Sequence, residues 1–215
     1  MKTILLKDAV AMIPDGASVM IGGFMGVGTP GRLVDELVRQ GKRGLTVIAN
    51  DNAMPGIGIG KLIAAGVVRK TIASHIGLNP ETQKKMLAGE LEVDLVPQGT
   101  LVERIRAGGY GLGGVLTPTG VGTVVEKGKQ RIDVNGKPYL LETPLRADFA
   151  LVQAFLADYI GNLYYALTAR NFNPVIAMAA DTVIAEADNI VPVGVIAPDN
   201  VMTPAPVVDY IVSHA

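Results

Sequence analysis

Three segments of this chain have residue types and spacings that could do chemistry, and each follows an apolar run. The first is Gly22-Gly23-Phe24-Met25-Gly26-Val27-Gly28, continued by Thr29-Pro30-Gly31. Gly26, Gly28 and Gly31 satisfy the G-x-G-x-x-G spacing, and Asp51 stands 20 residues past Gly31. Between a strand and a helix, such a loop can hold a diphosphate on backbone N–H groups and a helix dipole, with the carboxylate on a ribose. The competing reading is tight strand-to-helix packing with no ligand. Pro30 removes one donor from the helix start, which counts against a nicotinamide dinucleotide in particular. The second segment is Asn50-Asp51-Asn52 and the third is Pro97-Gln98-Gly99-Thr100. Asn50 and Gln98 would each bring a carboxamide to a strand end, where ligands of open α/β sheets bind. Both segments also suit turns or helix caps. His75, in Ser74-His75-Ile76-Gly77, reads as a hydrogen-bonded structural residue or as an acid–base group. Glu103, Arg104 and Arg106 read as a solvated helix face, and His214 as a solvated terminal residue.

What is missing narrows the chemistry. With no cysteine there can be no thiolate nucleophile, disulfide, iron–sulfur cluster or Cys-type zinc site. Two histidines far apart in sequence argue against a metal site. No Walker lysine motif, no G-x-S-x-G elbow and no obvious catalytic carboxylate loop occurs. Hydrogen-bond donors without a nucleophile read as half of an active site.

These segments must be positioned by the elements between them. The 215 residues suit one domain, 1–215, with no internal repeat or linker. With 49% hydrophobic residues and a net charge of −1, disorder is excluded and nucleic acid is an improbable partner. No run of 18 apolar residues predicts a membrane span, and Lys7–Asp8 interrupts the only early apolar stretch. The expectation is a soluble cytoplasmic protein. Apolar runs at 17–21, 45–49, 67–73, 92–96, 147–154 and 182–186 predict buried strands. Helices are predicted over 30–40, 57–65, 79–88, 99–107 and 173–180. This alternation predicts an open, mostly parallel, doubly wound α/β sheet with helices on both faces. A small β-hairpin insertion is predicted where 130–134 and 138–142 flank Asn135-Gly136. The glycine-rich stretch 108–122 is long for a connection and reads as functional or as a partner surface.

A resemblance adds to this reading. The run Asp15-Gly16-Ala17-Ser18-Val19-Met20-Ile21-Gly22-Gly23-Phe24-Met25-Gly26-Val27-Gly28-Thr29-Pro30 resembles the signature of class I CoA-transferase alpha subunits, D-G-x-x, three apolar residues, then G-G-F-x-x-x-G-x-P. LTVIANDNA (45–53), IASHIGLNPET (72–82), GELEVDLVPQGTLVERIRAGG (89–109), TPTGVGTVVE (117–126), PLRADFALVQA (144–154) and ARNFNP (169–174) resemble the same family, so the likeness covers nearly the whole chain. It is greatest to the bacterial acetate/acetoacetate, or short-chain 3-oxoacid, type. Tyr110, in AGGYGLGG, departs from it.

The resemblance implies that the nucleophile is a glutamate on a separate beta subunit, acting through an acyl-glutamyl anhydride and a glutamyl-CoA thioester. It implies that Gly22–Gly28 is the loop associated with CoA, a substrate here and not a bound cofactor. It implies that Asn50 and Gln98 face the reacting carboxylate or acyl oxygen. The expected partners are that beta subunit, in an α2β2 heterotetramer, an acyl-CoA such as acetyl-, acetoacetyl- or butyryl-CoA, and a short-chain carboxylic acid. Two alternatives stay open: an NAD-binding Rossmann-type protein resting on Gly26, Gly28, Gly31 and Asp51, and a sugar-phosphate protein related to ribose-5-phosphate isomerase.

Overall fold

The computed structural model describes residues 2–212. Its strands are β1 (Lys2–Ile4), β2 (Ser18–Ile21), β3 (Leu45–Asp51), β4 (Val68–His75), β5 (Glu92–Leu95), β6 (Val115–Thr117), β7 (Arg131–Val134), β8 (Lys137–Glu142), β9 (Ala147–Asp158), β10 (Leu163–Tyr164), β11 (Ala180–Val191) and β12 (Tyr210–Val212). The α-helices are α1 (Leu6–Ala11), α2 (Gly31–Arg39), α3 (Ile59–Ala64), α4 (Pro80–Leu87), α5 (Gln98–Gly109) and α6 (Asn173–Ala177). Eight strands pair in parallel in the order β1-β12-β11-β9-β2-β3-β4-β5, and β10 adds an antiparallel edge to β9.

The strand sequences are apolar throughout because both faces of the sheet are covered. Side chains alternate between two cores. Met20, Ile48, Val152 and Val183 face a core that includes Leu101 and Ile105 of α5 and Ile176 of α6. Their neighbours Val19, Val47, Leu151 and Ile184 face the other, with Val10 of α1, Leu33 of α2 and Leu62 of α3. In α2, Leu33, Val34 and Leu37 form the buried stripe that the helical period predicts.

The strand order reverses between β2 and β9. From β2 the chain winds outward through β3, β4 and β5; from β9 it winds the other way through β11 and β12. Loops leaving neighbouring strands in opposite directions open a crevice at their carboxyl ends. The Gly22–Gly28 loop leaves β2 at that point.

Two expectations gain detail and two need correction. The predicted hairpin is present, but β6 pairs with β8, so the insertion is a three-stranded antiparallel sheet. β6 lies inside the 108–122 stretch, which is therefore not a free connection. The helix predicted over 173–180 ends at Ala177, because β11 begins at Ala180 and runs 12 residues. Arg104 is not on a solvated face: its Nε donates to the Thr143 carbonyl at 2.8 Å, and it lies 3.9 Å from the buried Glu142. His214 lies outside the described residues. Among the described residues no helix is long and apolar enough to cross a membrane.

Candidate active site

The polar residues singled out from the sequence meet at the carboxyl ends of β3 and β4. Asn50 and Asp51 end β3, Ser74 and His75 end β4, and Gln98 opens α5 directly after Pro97. Phe24, Met25, Asn50, Asp51, Ser74, His75, Leu78 and Gln98 line one cavity of about 430 Å³. The Gln98 Nε2 donates to Asn50 Oδ1 at 2.5 Å, so the two carboxamides are adjacent although 48 residues separate them. Ser74 Oγ donates to the Asn50 carbonyl at 2.7 Å and fixes the strand end beneath. Asn50 is buried and Gln98 exposed. Asn50 spends one amide hydrogen on Asp51 Oδ2, at 2.6 Å. The second Asn50 hydrogen, one Gln98 amide hydrogen and the Gln98 Oε1 stay uncommitted. His75 borders the cavity and is exposed, and its imidazole makes no hydrogen bond among the described residues.

Asp51 is not a ribose ligand in waiting. Its carboxylate is buried and accepts the backbone N–H of Met25 at 3.0 Å, that of Ala53 at 2.7 Å and the Asn50 amide. Met25 and Ala53 are both left-handed, with φ of 51° and 52°. Non-glycine residues adopt that conformation only when their surroundings hold them there. Asp51 is the group that holds both. Asn52 has a third fate: its side chain accepts from Thr71 Oγ1 at 2.9 Å, and its carbonyl accepts from Asn79 Nδ2 at 3.2 Å. It stitches β3 to β4 and α4.

The helix start that would receive a diphosphate is also filled. The N–H groups of Arg32 and Leu33 donate to Glu186 of β11 at 3.1 and 2.9 Å, and the Arg32 Nε lies 3.4 Å from the same carboxylate. A buried carboxylate of the chain itself already occupies the dipole site. The dinucleotide fingerprint is therefore satisfied internally both at its anion-binding helix start and at its ribose-binding carboxylate.

The glycines of the loop have internal reasons too. A Cβ on Gly22 would run into the Asn173 carboxamide, and one on Gly28 would come within 2.6 Å of the Ala169 carbonyl. Two asparagines of the 169–174 segment pin this loop. Asn171 Oδ1 accepts from Gly23 N–H at 3.1 Å while its Nδ2 donates to the Val27 carbonyl at 3.0 Å. Asn173 Nδ2 donates to the Gly28 carbonyl at 2.9 Å. Reading the sequence residue by residue did not single these asparagines out. The signal was Asn-x-Asn-Pro before a short helix, but the loop it grips lies 144 or more residues away. So restrained, the loop turns Phe24, Met25 and Val27 outward and exposed. These three, with Thr168 and Asn171, line a second cavity of about 590 Å³.

A model of the coenzyme A transferase family matches residues 3–214. The chain belongs to the coenzyme A transferase family. It is 58% identical over 211 residues to the acetate CoA-transferase subunit alpha of Escherichia coli strain K12, covering 98% of this chain and 96% of the relative. It is 53% identical to the acetoacetyl-CoA:acetate/butyrate CoA transferase alpha subunit of Clostridium acetobutylicum, covering 99% and 98%. Within the family, the chain is of the alpha-subunit, acetate/acetoacetate type. Its fold is shared with an acyl-CoA transferase of Escherichia coli O157:H7 solved as a thioester complex with CoA, at a TM-score of 0.87 and 22% identity. That likeness covers 98% of this chain and 46% of the solved chain. Family membership, the filled helix start and the committed Asp51 carboxylate together set aside the NAD-binding alternative.

Proposed function

We propose that this chain is the non-nucleophile subunit of an enzyme that moves CoA between a short-chain acyl-CoA and a free carboxylic acid. The observation that carries the reading is the Gln98–Asn50 carboxamide pair at the mouth of the crevice, with donors left over, while the neighbouring Asp51 carboxylate and Ser74 hydroxyl are already hydrogen-bonded within the chain. The names of the relatives fit acetyl-, acetoacetyl- or butyryl-CoA as donor. The missing nucleophile is a glutamate of a beta subunit, in an assembly of two alpha and two beta chains in the cytoplasm.

In this scheme the partner glutamate attacks the thioester carbonyl and CoA leaves as its thiolate, giving an acyl-glutamyl anhydride. The thiolate attacks the glutamyl carbonyl and releases the acyl group as a carboxylate, leaving glutamyl-CoA. The acceptor acid then repeats the two steps in reverse, in ping-pong order. Each attack pushes negative charge onto a carbonyl oxygen. Donors already fixed in place stabilise that charge without reorganisation. Gln98 is the exposed donor and Asn50 holds it in position, while Asp51 fixes Asn50. The Gly22–Gly28 loop, with Phe24, Met25 and Val27 turned outward, is the surface for the apolar part of the CoA arm.

The test is co-expression with a chain encoded alongside it, followed by acyl-CoA/acetate exchange. Exchange by the pair, none by this chain alone, and borohydride reduction in acyl-CoA that modifies only a partner glutamate are expected. Turnover by this chain alone, or a CoA adduct on one of its own carboxylates, would overturn the half-site reading.

A further inference from the structure

A third cavity, of about 420 Å³, lies between α5, α6 and the 202–204 segment. Its lining includes Arg106 and Arg170 and no carboxylate. Tyr110, Met178 and Met202 give it an apolar wall. Two other polar side chains on its wall, Asn171 and Thr203, are spent. Asn171 uses its carboxamide on the Gly22–Gly28 loop and its own turn, and the Thr203 hydroxyl pairs with the buried Tyr165 at 2.8 Å. The Arg170 side chain makes no hydrogen bond or ion pair among the described residues. Arg106 spends only its Nε, on Glu103 at 3.0 Å, so its two terminal amino groups stay free. An uncommitted guanidinium fork lining one cavity with a second guanidinium is matched to an anion with several oxygens.

The cavity has neighbours. It shares Asn171 with the cavity of Phe24, Met25 and Val27, which in turn shares Phe24 and Met25 with the Asn50–Gln98 cavity. From one end of this series to the other, the lining passes from amide donors, through apolar side chains, to paired cations.

We propose that the Arg106–Arg170 cavity is a binding site for an adenosine phosphate, with the phosphates on the two guanidinium groups and the apolar wall against the nucleoside. Two sources offer that chemistry: the nucleotide end of CoA, which rests on the function proposed above, and a free nucleotide, which does not.

Titration calorimetry of the full chain tests it, with adenosine 3′,5′-bisphosphate, CoA and pantetheine as probes. The bisphosphate binds the wild type, and Arg170→Gln weakens it about tenfold or more, the scale of one charge-assisted contact. Arg106→Gln weakens it less, because Glu103 already draws on that side chain. Arg170→Lys retains part of the affinity, and an unchanged thermal midpoint shows that the variants fold. Pantetheine binding is indifferent to Arg170. If CoA loses affinity in step and competes with the bisphosphate, the source is CoA. If the two bind together and only the bisphosphate depends on Arg170, the site takes a free nucleotide. No bisphosphate binding by the wild type, or none that depends on Arg170, overturns the proposal. Exchange activity of the assembled enzyme reports separately: a wild-type pair that exchanges stands whatever Arg170 does.

Discussion

Glu186 and Asp51 are both buried carboxylates that accept two backbone N–H groups beside the Gly22–Gly31 segment. Glu186 takes those of Arg32 and Leu33 and seals the start of α2 against β11. Asp51 takes those of Met25 and Ala53, holds two left-handed residues, and also orients Asn50 towards Gln98. The first cluster is closed: both backbone donors meet Glu186 within the chain, and Glu186 does not line the crevice. The second is open at one end, where the carboxamides run out to solvent. In this chain the dinucleotide-like spacing marks the closed cluster. The donors left uncommitted stand at the other.

The largest expected effect is at the open cluster. If Gln98 and Asn50 stabilise the reacting oxygen, Gln98→Ala and Asn50→Ala each lower exchange by about 10²- to 10³-fold. Gln98→Ala leaves the thermal midpoint nearly unchanged, since Gln98 is exposed. Exchange within a few-fold of wild type in both variants would remove the role. Next comes the closed cluster. Glu186→Ala strands two backbone donors and removes the Arg32–Glu186 ion pair, and it costs about 2–3 kcal/mol, read by urea unfolding. At about 2–4 °C per kcal/mol, that lowers the midpoint by roughly 4–12 °C. NAD gives no thermal shift in wild type, because the helix start and the Asp51 carboxylate are both occupied within the chain; stabilisation growing with NAD concentration would contradict the comparison.

The open cluster was legible in the sequence and the closed one was not. Asn50, Gln98 and the glycine loop could be found because each follows an apolar strand, and strand ends of a parallel sheet share one edge. The parallel sheet itself followed from strands apolar on both faces alternating with amphipathic helices. Glu186 gave no sign, since it sits inside an apolar run, and its partners are 153 and 154 residues away. Asp51 showed its position but not its use: a carboxylate after a strand looks the same whether it waits for a ribose or accepts Met25 N–H. β1 and β12 were missed for a related reason. Each has three residues, too few to show a period, and they exist by pairing with each other and with β11 across the length of the chain.

A smaller effect would sharpen the contrast between packing and ligand contact at the glycines. Gly28→Ala places a Cβ 2.6 Å from the Ala169 carbonyl, at a φ of 78°. The strain and the displaced Asn171 contacts cost about 1–3 kcal/mol, read as a lower unfolding midpoint in the isolated chain without any CoA. If the isolated chain is as stable as wild type and only CoA affinity falls, the glycine is needed by the ligand and not by the fold.

The smallest effect lies at the opposite end of the sheet, where nothing faces a ligand. Asp148, next to the start of β9, accepts the backbone N–H and the hydroxyl of Ser18 at the start of β2, both at 2.7 Å. The Ser18 N–H, then its hydroxyl, holds the Asp148 carboxyl below the usual aspartate range, against a smaller opposing effect of burial. A carboxylate whose acidity is raised by folding stabilises the folded state above its unfolded value near 3.8, and that stabilisation is lost as pH falls through the lower folded value. Asp148→Asn should therefore flatten the fall in stability below about pH 4. Near neutrality it should cost only about 0.5–1 kcal/mol, because Asp148 is exposed and screened by water. Exchange at neutral pH should not change, since the pair lies at the strand starts and the crevice at their ends. A variant with the wild-type acid slope would show that Asp148 does not couple β2 to β9, and a loss of exchange would show that the two ends of the sheet are not independent.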